Sequence, residues 1–406
     1  MPGTKSGRTT KQTVPIGVVF SQTGSYRTIG TELLRGTLLA IEEVNATSAY
    51  GFRLEPQIED PGGDLNEYRE RCDRLLRTSA IRHVVGCYTS SSRKEVIPVF
   101  EKRDGLLWYP SHYEGFESCN NVIYTGASPN QHIVPLIVHM LQAHGSRAYC
   151  IGSNYIWAWE CNRIMREIIC GCGGGIVAER YLPVGSVDVE HIVDDIAAQK
   201  PDFIFSSLIG VSSHAFMEAF HAARVAQPAL GPARMPICSV TLSEPELRAV
   251  PPAAADGHIA SSVYFQSKRT AANDVFVAAF KRRFGAGCVT SADAEAAYIA
   301  VRLLAQAIER AQSSEIERVK QALAAIELEA PQGPVRVDPA NNHCCLTPSL
   351  GRSNPDGQFE ILWSAPSPVR PDPYLVGFDI ARFRAGLAAT IGDVPTAAGQ
   401  RLRVIR

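Results

Sequence analysis

The feature of this sequence that most constrains its fold is the regular alternation of two kinds of segment. Short, largely apolar runs such as VPIGVVF (14–20) and LLWYP (106–110) alternate with longer segments such as TELLRGTLLAIEEVN (31–45), whose apolar residues recur at helical spacing. Apolar strands separated by helices are typical of parallel sheets covered on both faces. Because the pattern restarts after residue 131, the sequence predicts two doubly wound α/β lobes with parallel sheets.

The C-terminal third has a different pattern, in which helical segments precede two short strands. The helical segments span residues 273–285, 291–312 and 316–326, and the strands read GPVRVDP (333–339) and GQFEILWS (357–364). These segments suit either a third compact domain or a return of the chain that completes the two earlier lobes. The residues alone leave both possibilities open.

Composition and charge argue against several classes of protein. Hydrophobic residues make up 45% of the chain, charged residues 20%, and the formal net charge is −1, as in ordinary soluble globular proteins. Without a basic surface stripe, direct binding of nucleic acid is disfavoured. No run approaches the roughly 20 apolar residues that span a bilayer. The first apolar run, PIGVVF, is too short for the core of a secretory signal. We therefore expect a cytoplasmic protein, or a periplasmic one if a signal peptide is missing from this start.

The cysteines indicate reduced thiols rather than a disulfide framework or a metal site. There are 11, an odd number, and many lie in apolar runs, which is typical of buried cysteine in a reducing compartment. The close pairs Cys170/Cys172 and Cys344/Cys345 lack the spacing of a zinc site. The sequence predicts no metal and no cofactor.

The stretch GCYTSSSRK (86–94) places consecutive hydroxyl side chains between an apolar strand and a predicted helix. Such a group can hold a catalytic nucleophile, a phosphate or an unreacted polar ligand. The stretch lacks the GxSxG frame of a hydrolase and the GxxxxGK[ST] frame of a phosphate loop, so no catalytic residue is predicted. The serines from Ser90 to Ser92 are expected to cap the helix, and whether one of them also contacts a ligand stays open.

Aromatic residues accumulate where the predicted strands end. Ligands of open parallel sheets bind beyond the carboxyl ends of the strands, and rings with polar tips beside hydroxyls suit a small neutral ligand such as an amide or urea. An amino-acid ligand would need an acid for its ammonium group, and Glu114 and Glu244 keep that alternative open. The aromatic residues are Tyr88, Trp108, Tyr109, Tyr113, Tyr155, Trp157 and Trp159.

Several motifs, in order, resemble those of type I periplasmic binding proteins. They are GCYTSSSRKEVIPVFEK, LLWYPSHYEGFE, NVIYTGASPNQ, GSNYIWAWECN and APQGPVRVDPANNH, with GQFEILW and RPDPY near the end. The chain is most similar to the branch that holds urea-binding transport proteins and amide-responsive negative regulators, from about Val14 to about Tyr374. The resemblance implies two lobes joined by three crossing segments, near 126–131, 262–268 and 338–345. An N-terminal lobe would comprise 14–128 and 266–338, and a C-terminal lobe 129–265 and 339–390. Residues 1–13 and 391–406 would be tails.

The resemblance also implies a ligand clamped between the lobes. In the amide-responsive regulators of this family, threonine, proline and tyrosine stand at the positions of Ser111, His112 and Trp157. These departures leave open which amide is bound, or whether the ligand is urea. The positions that match the family's ligand site are Tyr88, Ser90, Tyr109, Ser111, Tyr155, Trp157, Ile209, Gly210 and Thr241.

The resemblance finally implies a function without catalysis. The main expectation is a cytoplasmic sensor of short aliphatic amides, acting as a negative regulator that sequesters an RNA-binding antitermination protein until ligand closes the lobes. The alternative is a substrate-binding protein of an ABC transporter for urea or short amides. An amide hydrolase is the remaining alternative, and no nucleophile with a base is evident for it. A homo-oligomer is compatible with either binding function.

Overall fold

In a computed structural model, which describes residues 11–78 and 80–391, the first lobe is built on an eight-stranded sheet. Its central strands are parallel, and β12 and β11 extend one edge antiparallel in the order β11-β12-β13-β5-β4-β3-β1-β2. The strands are β1 (Gln12–Val19), β2 (Phe52–Glu59), β3 (His83–Gly86), β4 (Leu106–Tyr109), β5 (Val122–Tyr124), β11 (Leu328–Ala330), β12 (Gly333–Asp338) and β13 (His343–Cys345).

The second lobe is built on a seven-stranded sheet within the same described residues. Its order is β15-β14-β10-β9-β8-β6-β7, parallel from β7 to β10 and antiparallel at β14 and β15. The strands are β6 (Arg147–Ser153), β7 (Gly175–Leu182), β8 (Phe203–Ser207), β9 (Ile237–Ser239), β10 (Ile259–Ser262), β14 (Ser349–Ser353) and β15 (Phe359–Ser364).

Helices cover both faces of each sheet, as the apolar strands require. In the first lobe α1, α10, α11 and α12 cover one face and α2 and α3 the other; in the second, α6 and α7 lie opposite α4 and α5. The helices are α1 (Arg27–Ala46), α2 (Leu65–Thr78), α3 (Ser90–Arg103), α4 (Pro129–Ala143), α5 (Ile156–Gly171), α6 (Glu190–Gln199), α7 (Val211–Ala226), α8 (Glu244–Arg248), α9 (Pro252–Ala255), α10 (Ala271–Phe284), α11 (Ala292–Ala311), α12 (Ile316–Leu323) and α13 (Ile380–Ile391).

The chain passes between the sheets three times: after β5, after β10 and after β13. The predicted fold class of two α/β lobes with crossing segments is therefore confirmed. The C-terminal third forms no separate domain, since α10–α12 cover the first sheet and β14 and β15 join the second. The lobe boundaries stay a prediction, and most of the predicted tails, 1–13 and 391–406, falls outside the described residues. None of the helices described combines the length and apolar character needed to cross a membrane.

Candidate functional site

A cavity of about 220 Å³ lies between the two lobes, at the carboxyl ends of the parallel strands. The first lobe contributes the segment 24–29 after β1 and Tyr88 after β3. The second contributes 184–185 after β7, 208–214 after β8, and Thr241, Leu242 and Glu246 after β9. This is the edge at which open α/β sheets bind ligands, and we call it the cleft cavity.

Part of the predicted site lines the cleft cavity. Tyr88 of the first lobe faces it together with Ile209, Gly210 and Thr241 of the second. The other predicted residues, Ser90, Tyr109, Ser111, Tyr155 and Trp157, are not among the residues that line it in the described part of the chain. Their assignment as ligand contacts stays a prediction.

Tyr88 is held in place by the strained turn that ends β3. Cys87 has φ of 68°, which is uncommon for a residue other than glycine and often marks a functional position. The Tyr109 hydroxyl donates a 2.6 Å hydrogen bond to the Tyr88 carbonyl, and the Tyr26 ring lies 6.0 Å from the Tyr88 ring. Burial, with Asp293 and Glu246 nearby, raises the pKa of Tyr88 well above its usual value. Its hydroxyl is therefore a neutral hydrogen-bond donor.

The second-lobe wall requires a glycine at position 210. Gly210 has φ of 57° and ψ of −137° just before α7, a conformation that is essentially restricted to glycine. A Cβ built there would lie 3.9 Å from the Ser25 carbonyl oxygen of the first lobe. The two lobes thus approach each other closely at this point, and the preceding Ile209 amide donates to Ser153 Oγ at 3.3 Å.

Thr241 is positioned by the end of β9. Its amide donates to Ser239 Oγ at 3.1 Å, and its own hydroxyl lies 3.0 Å from the same atom. The Ser239 hydroxyl in turn donates to the Ser206 carbonyl at 2.9 Å. This chain of bonds fixes the threonine at the cavity wall, where its hydroxyl can turn toward a ligand.

Ser90 belongs to a buried ion-pair network rather than to the cavity wall. Its hydroxyl donates to Glu114, which lies 3.3 Å from the Arg93 guanidinium. The helix α3 is capped by Thr89, whose hydroxyl accepts from the Ser92 amide at 3.1 Å. The expectation that Ser90–Ser92 would supply the cap is therefore wrong by one residue, because the helix already begins at Ser90.

Tyr109 and Ser111 are buried behind the cavity. Tyr109 is part of an apolar cluster between the first sheet and α2–α3, and Arg93 stacks 4.7 Å from its ring centroid. Ser111 donates to the carbonyl of His112 at 3.3 Å. Both residues support the strand end, and neither has a free polar group in the cleft cavity.

Tyr155 and Trp157 bring second-lobe rings toward the first lobe. The two rings stack 6.1 Å apart with an interplanar angle of 25°. Burial, with Tyr88 and Tyr26 nearby, raises the pKa of Tyr155 well above its usual value, so rings of both lobes meet here. The buried Trp157 Nε1 has no hydrogen-bond partner among the described residues, although its ring lies 5.6 Å from that of His112.

Charged side chains around the cleft cavity are few. Arg27, His214 and Glu246 line it, and His214 Nε2 lies 2.7 Å from Glu246 Oε2. Burial lowers the pKa of His214, but the hydrogen bond and charge of Glu246 outweigh burial and raise it above its ordinary value. Neither this pair nor the segment 24–29 was among the predicted site residues, although the polar loops that follow the first strand and β8 were signals for them.

Comparison with known proteins places this architecture among binding proteins. A family model described as a periplasmic binding protein domain matches residues 14–379. A curated relative, limonene hydroxylase of Geobacillus stearothermophilus, is 30% identical over 121 residues, which is 30% of this chain and 22% of that protein. The chain therefore spans about a fifth of that relative's length, and the relative's name carries no activity to this chain.

Solved structures share the fold at low sequence identity. A solute-binding protein of an ABC transporter from Rhodopseudomonas palustris HaA2, in complex with p-hydroxybenzoic acid, has a TM-score of 0.79 at 18% identity, covering 91% of this chain and 100% of that one. A leucine-, isoleucine-, valine-, threonine- and alanine-binding protein from Brucella ovis, in a closed conformation, has a TM-score of 0.76 at 15% identity, covering 89% and 97%. At such identities the likeness establishes the fold alone.

Proposed function

Because this chain belongs to the periplasmic binding protein domain family, we propose that it is the ligand-binding component of an ABC transporter for urea or a short-chain amide. The observation that carries this proposal is the cleft cavity, which takes its lining from strand ends of both lobes. A ligand that contacts both walls stabilises the closed arrangement, and a transporter component of this kind acts through that closure.

The size of the cleft cavity supports a small ligand. Its volume of about 220 Å³ is below the roughly 300–1,000 Å³ of pockets for drug-sized molecules. One of the similar structures is in complex with p-hydroxybenzoic acid, and another is a binding protein for leucine, isoleucine, valine, threonine and alanine, so both are associated with small solutes. Because the sequence identity is low, the chemical class of the ligand is inferred from the residues that line the cleft cavity.

The chemistry of the wall supports a neutral ligand with donors and acceptors. Tyr88 supplies a neutral hydroxyl, Thr241 a second hydroxyl, and Gly210 an unobstructed backbone. Glu246 is already paired with His214, so it offers little net charge to a ligand. An amide or urea can donate to and accept from such groups without burying an unpaired charge.

A thermal-shift series on the purified protein tests the proposal, because a ligand that binds only the folded state raises the melting temperature. The panel would contain urea, acetamide, propionamide, butyramide, leucine and 4-hydroxybenzoate. A shift with urea or an amide, and none with the last two, is expected. A shift with leucine or 4-hydroxybenzoate alone would refute the amide assignment while leaving a solute-binding role intact.

A second candidate is a cytoplasmic amide-responsive negative regulator that sequesters an RNA-binding antitermination protein. The observation in its favour is that all 11 cysteines are free thiols, which suits a reducing compartment. We rank it second because the similar structure from Rhodopseudomonas palustris is a solute-binding protein of an ABC transporter. Pull-down of a purified antitermination protein, reversed by the amide that stabilises this chain, would favour the regulator; capture by transporter permease domains would favour transport.

A further inference from the structure

One residue of the first lobe, Phe116, is in contact with three separate groups of the second lobe. It lies in the loop between β4 and β5, its side chain is 40% exposed, and its φ is 57°. A bulky residue with positive φ is a genuine outlier, and such strain persists where the surrounding contacts impose it. We call the two residues Gly115 and Phe116, which reach from the first lobe to the second, the interlobe tab.

The first contact of the interlobe tab is made by its backbone. The Phe116 amide donates a 2.8 Å hydrogen bond to the carbonyl of Pro373. Gly115 has φ of 82°, and a Cβ built on it would lie 2.3 Å from the same carbonyl oxygen and 2.6 Å from Cγ of Pro129, the first residue of α4. The absence of a side chain at Gly115 therefore allows the two lobes to meet backbone to backbone.

The carbonyl that accepts this hydrogen bond belongs to a segment fixed to the second lobe. Asn130 of α4 donates to the Arg370 carbonyl at 2.9 Å and accepts from the Asp372 amide at 2.8 Å. Leu375, which follows, packs against the apolar cluster that α4 and α5 form with the second sheet. The segment 370–375 therefore moves with the second lobe.

The Phe116 ring makes the other two contacts, both with second-lobe side chains. The Tyr374 ring lies 6.4 Å from it, edge-on at 84°, and Cζ of Arg163 on α5 lies 4.5 Å from its centroid. The latter distance is within the roughly 6 Å range of a cation–π interaction. The Arg163 guanidinium also donates to Glu160 at 2.8 Å and to Glu167 at 2.9 Å, both on α5. These bonds fix the cation to the second lobe.

The interlobe tab is equally fixed to the first lobe. The next residue, Glu117, pairs with Arg93 at 2.7 Å and with Lys94 at 2.9 Å, both on α3. Its carbonyl accepts from the Tyr113 hydroxyl at 3.0 Å. In the same region α3 packs on α5 across the boundary between the lobes. Because the two sides of the contact are fixed to different lobes, a rotation that separates α3 from α5 must break it.

We propose that the interlobe tab is a noncovalent latch, which holds the lobes together before any solute binds. It adds a fourth connection to the three crossing segments and, unlike them, it can break and form again. A solute that contacts both walls of the cleft cavity then has to supply less of the free energy of closure. The latch acts in the protein without solute, so it does not depend on the ligand class proposed above.

Hydrogen exchange and small-angle scattering, with the full chain and no added solute, test this proposal. The peptides of interest cover 24–29 and 208–214, which line the cleft cavity from the two lobes. Phe116→Ala is expected to speed their exchange roughly five- to thirtyfold, because loss of the ring contacts raises the open population. The radius of gyration should increase, whereas exchange within β1 and β6 should stay unchanged because each lobe remains folded.

Further variants separate the latch from a general loss of stability. Arg163→Gln removes the cation but keeps the ring, and it should also speed exchange at the cleft. Combined with Phe116→Ala, it should have less than the product of the two single effects, since both changes remove one shared contact. The matched control is Arg283→Gln, which removes a cation 5.1 Å from the Phe284 ring and 2.8 Å from Glu42, all within the first lobe. The proposal is wrong if Phe116→Ala exchanges and scatters like the natural chain, or if the control speeds exchange at the cleft as much.

Discussion

Replacing Arg93 with methionine is expected to destabilise the first lobe by about 3–5 kcal/mol, the usual cost of removing one partner of a buried ion pair. Arg93 is fully buried. Its guanidinium lies 2.7 Å from Glu117 and 3.3 Å from Glu114, and it stacks on the ring of Tyr109. Methionine keeps much of the apolar stem but leaves two carboxylates without their main cation.

The pKa of Glu117 gives an independent value for the stabilisation that its neighbouring cations provide. Burial alone would raise this pKa, but Arg93 and then Lys94 lower it from 4.5 to about 2. At about 1.4 kcal/mol per pKa unit, these interactions contribute about 3 kcal/mol. Because the folded pKa is depressed, the contribution is complete above the ordinary value and disappears as pH falls from 4.5 toward 2. The destabilisation by Arg93→Met should therefore be largest at neutral pH and smaller at about pH 3.5.

Urea denaturation followed by circular dichroism at both pH values measures this effect. The control is Lys94→Met, which removes a cation 2.9 Å from the same Glu117 but one whose side chain is 38% exposed. Exposed pairs contribute only about 0–1 kcal/mol, so the control should be nearly neutral. Equal stability of Arg93→Met and the natural chain at neutral pH would refute the claim that the ion pairs of Arg93 stabilise the fold.

Three further predictions concern the cleft. Gly210→Ala should lower the free energy of unfolding by about 1–3 kcal/mol because of its backbone conformation, and it should weaken ligand binding. The control Gly175→Ala, with nothing within 4 Å of its built Cβ, should do neither. Equal effects of the two variants in calorimetry would contradict the strain argument. Tyr88→Phe should lower ligand affinity roughly tenfold with little change in melting temperature, if the hydroxyl donates to the ligand; unchanged affinity by titration would remove Tyr88 from the site. Since the pKa of His214 is raised, its pairing should add stability below about pH 6.5 that is lost as pH rises through the higher folded pKa. In Glu246→Gln this dependence should flatten in pH-resolved unfolding, and an unaltered profile would show that the pair is not coupled.

The alternation of segments was sufficient to predict the two lobes, because apolar strands separated by helices have few other stable arrangements. The alternation was less informative about which face of the sheet a side chain at a strand end lies on. Trp108 and Tyr109 are adjacent in β4, and pleating sends their rings to opposite faces of the sheet, into separate apolar clusters. Nothing in the local sequence states that Tyr109 turns toward Arg93 rather than toward the cleft.

The other cleft residues were not predicted because they are brought together by contacts between distant parts of the chain. The segment 24–29 and Glu246 meet only because strands of two separate sheets end at one cleft. Likewise His214 and Glu246 are 32 positions apart and follow different strands, and they form their pair only in the folded chain.

The threefold passage of the chain between the sheets affects how the protein can be made. The first sheet begins with β1 but is completed only by β13, which ends at Cys345, and α1 packs on α11. A growing chain on the ribosome therefore cannot close its first lobe until most of its length has emerged. Until then, the central apolar strands stay exposed and prone to aggregation. Truncation at Ala330 would leave both sheets incomplete rather than yield one complete lobe. The two lobes therefore depend on the same C-terminal segment for completion and must be synthesised together.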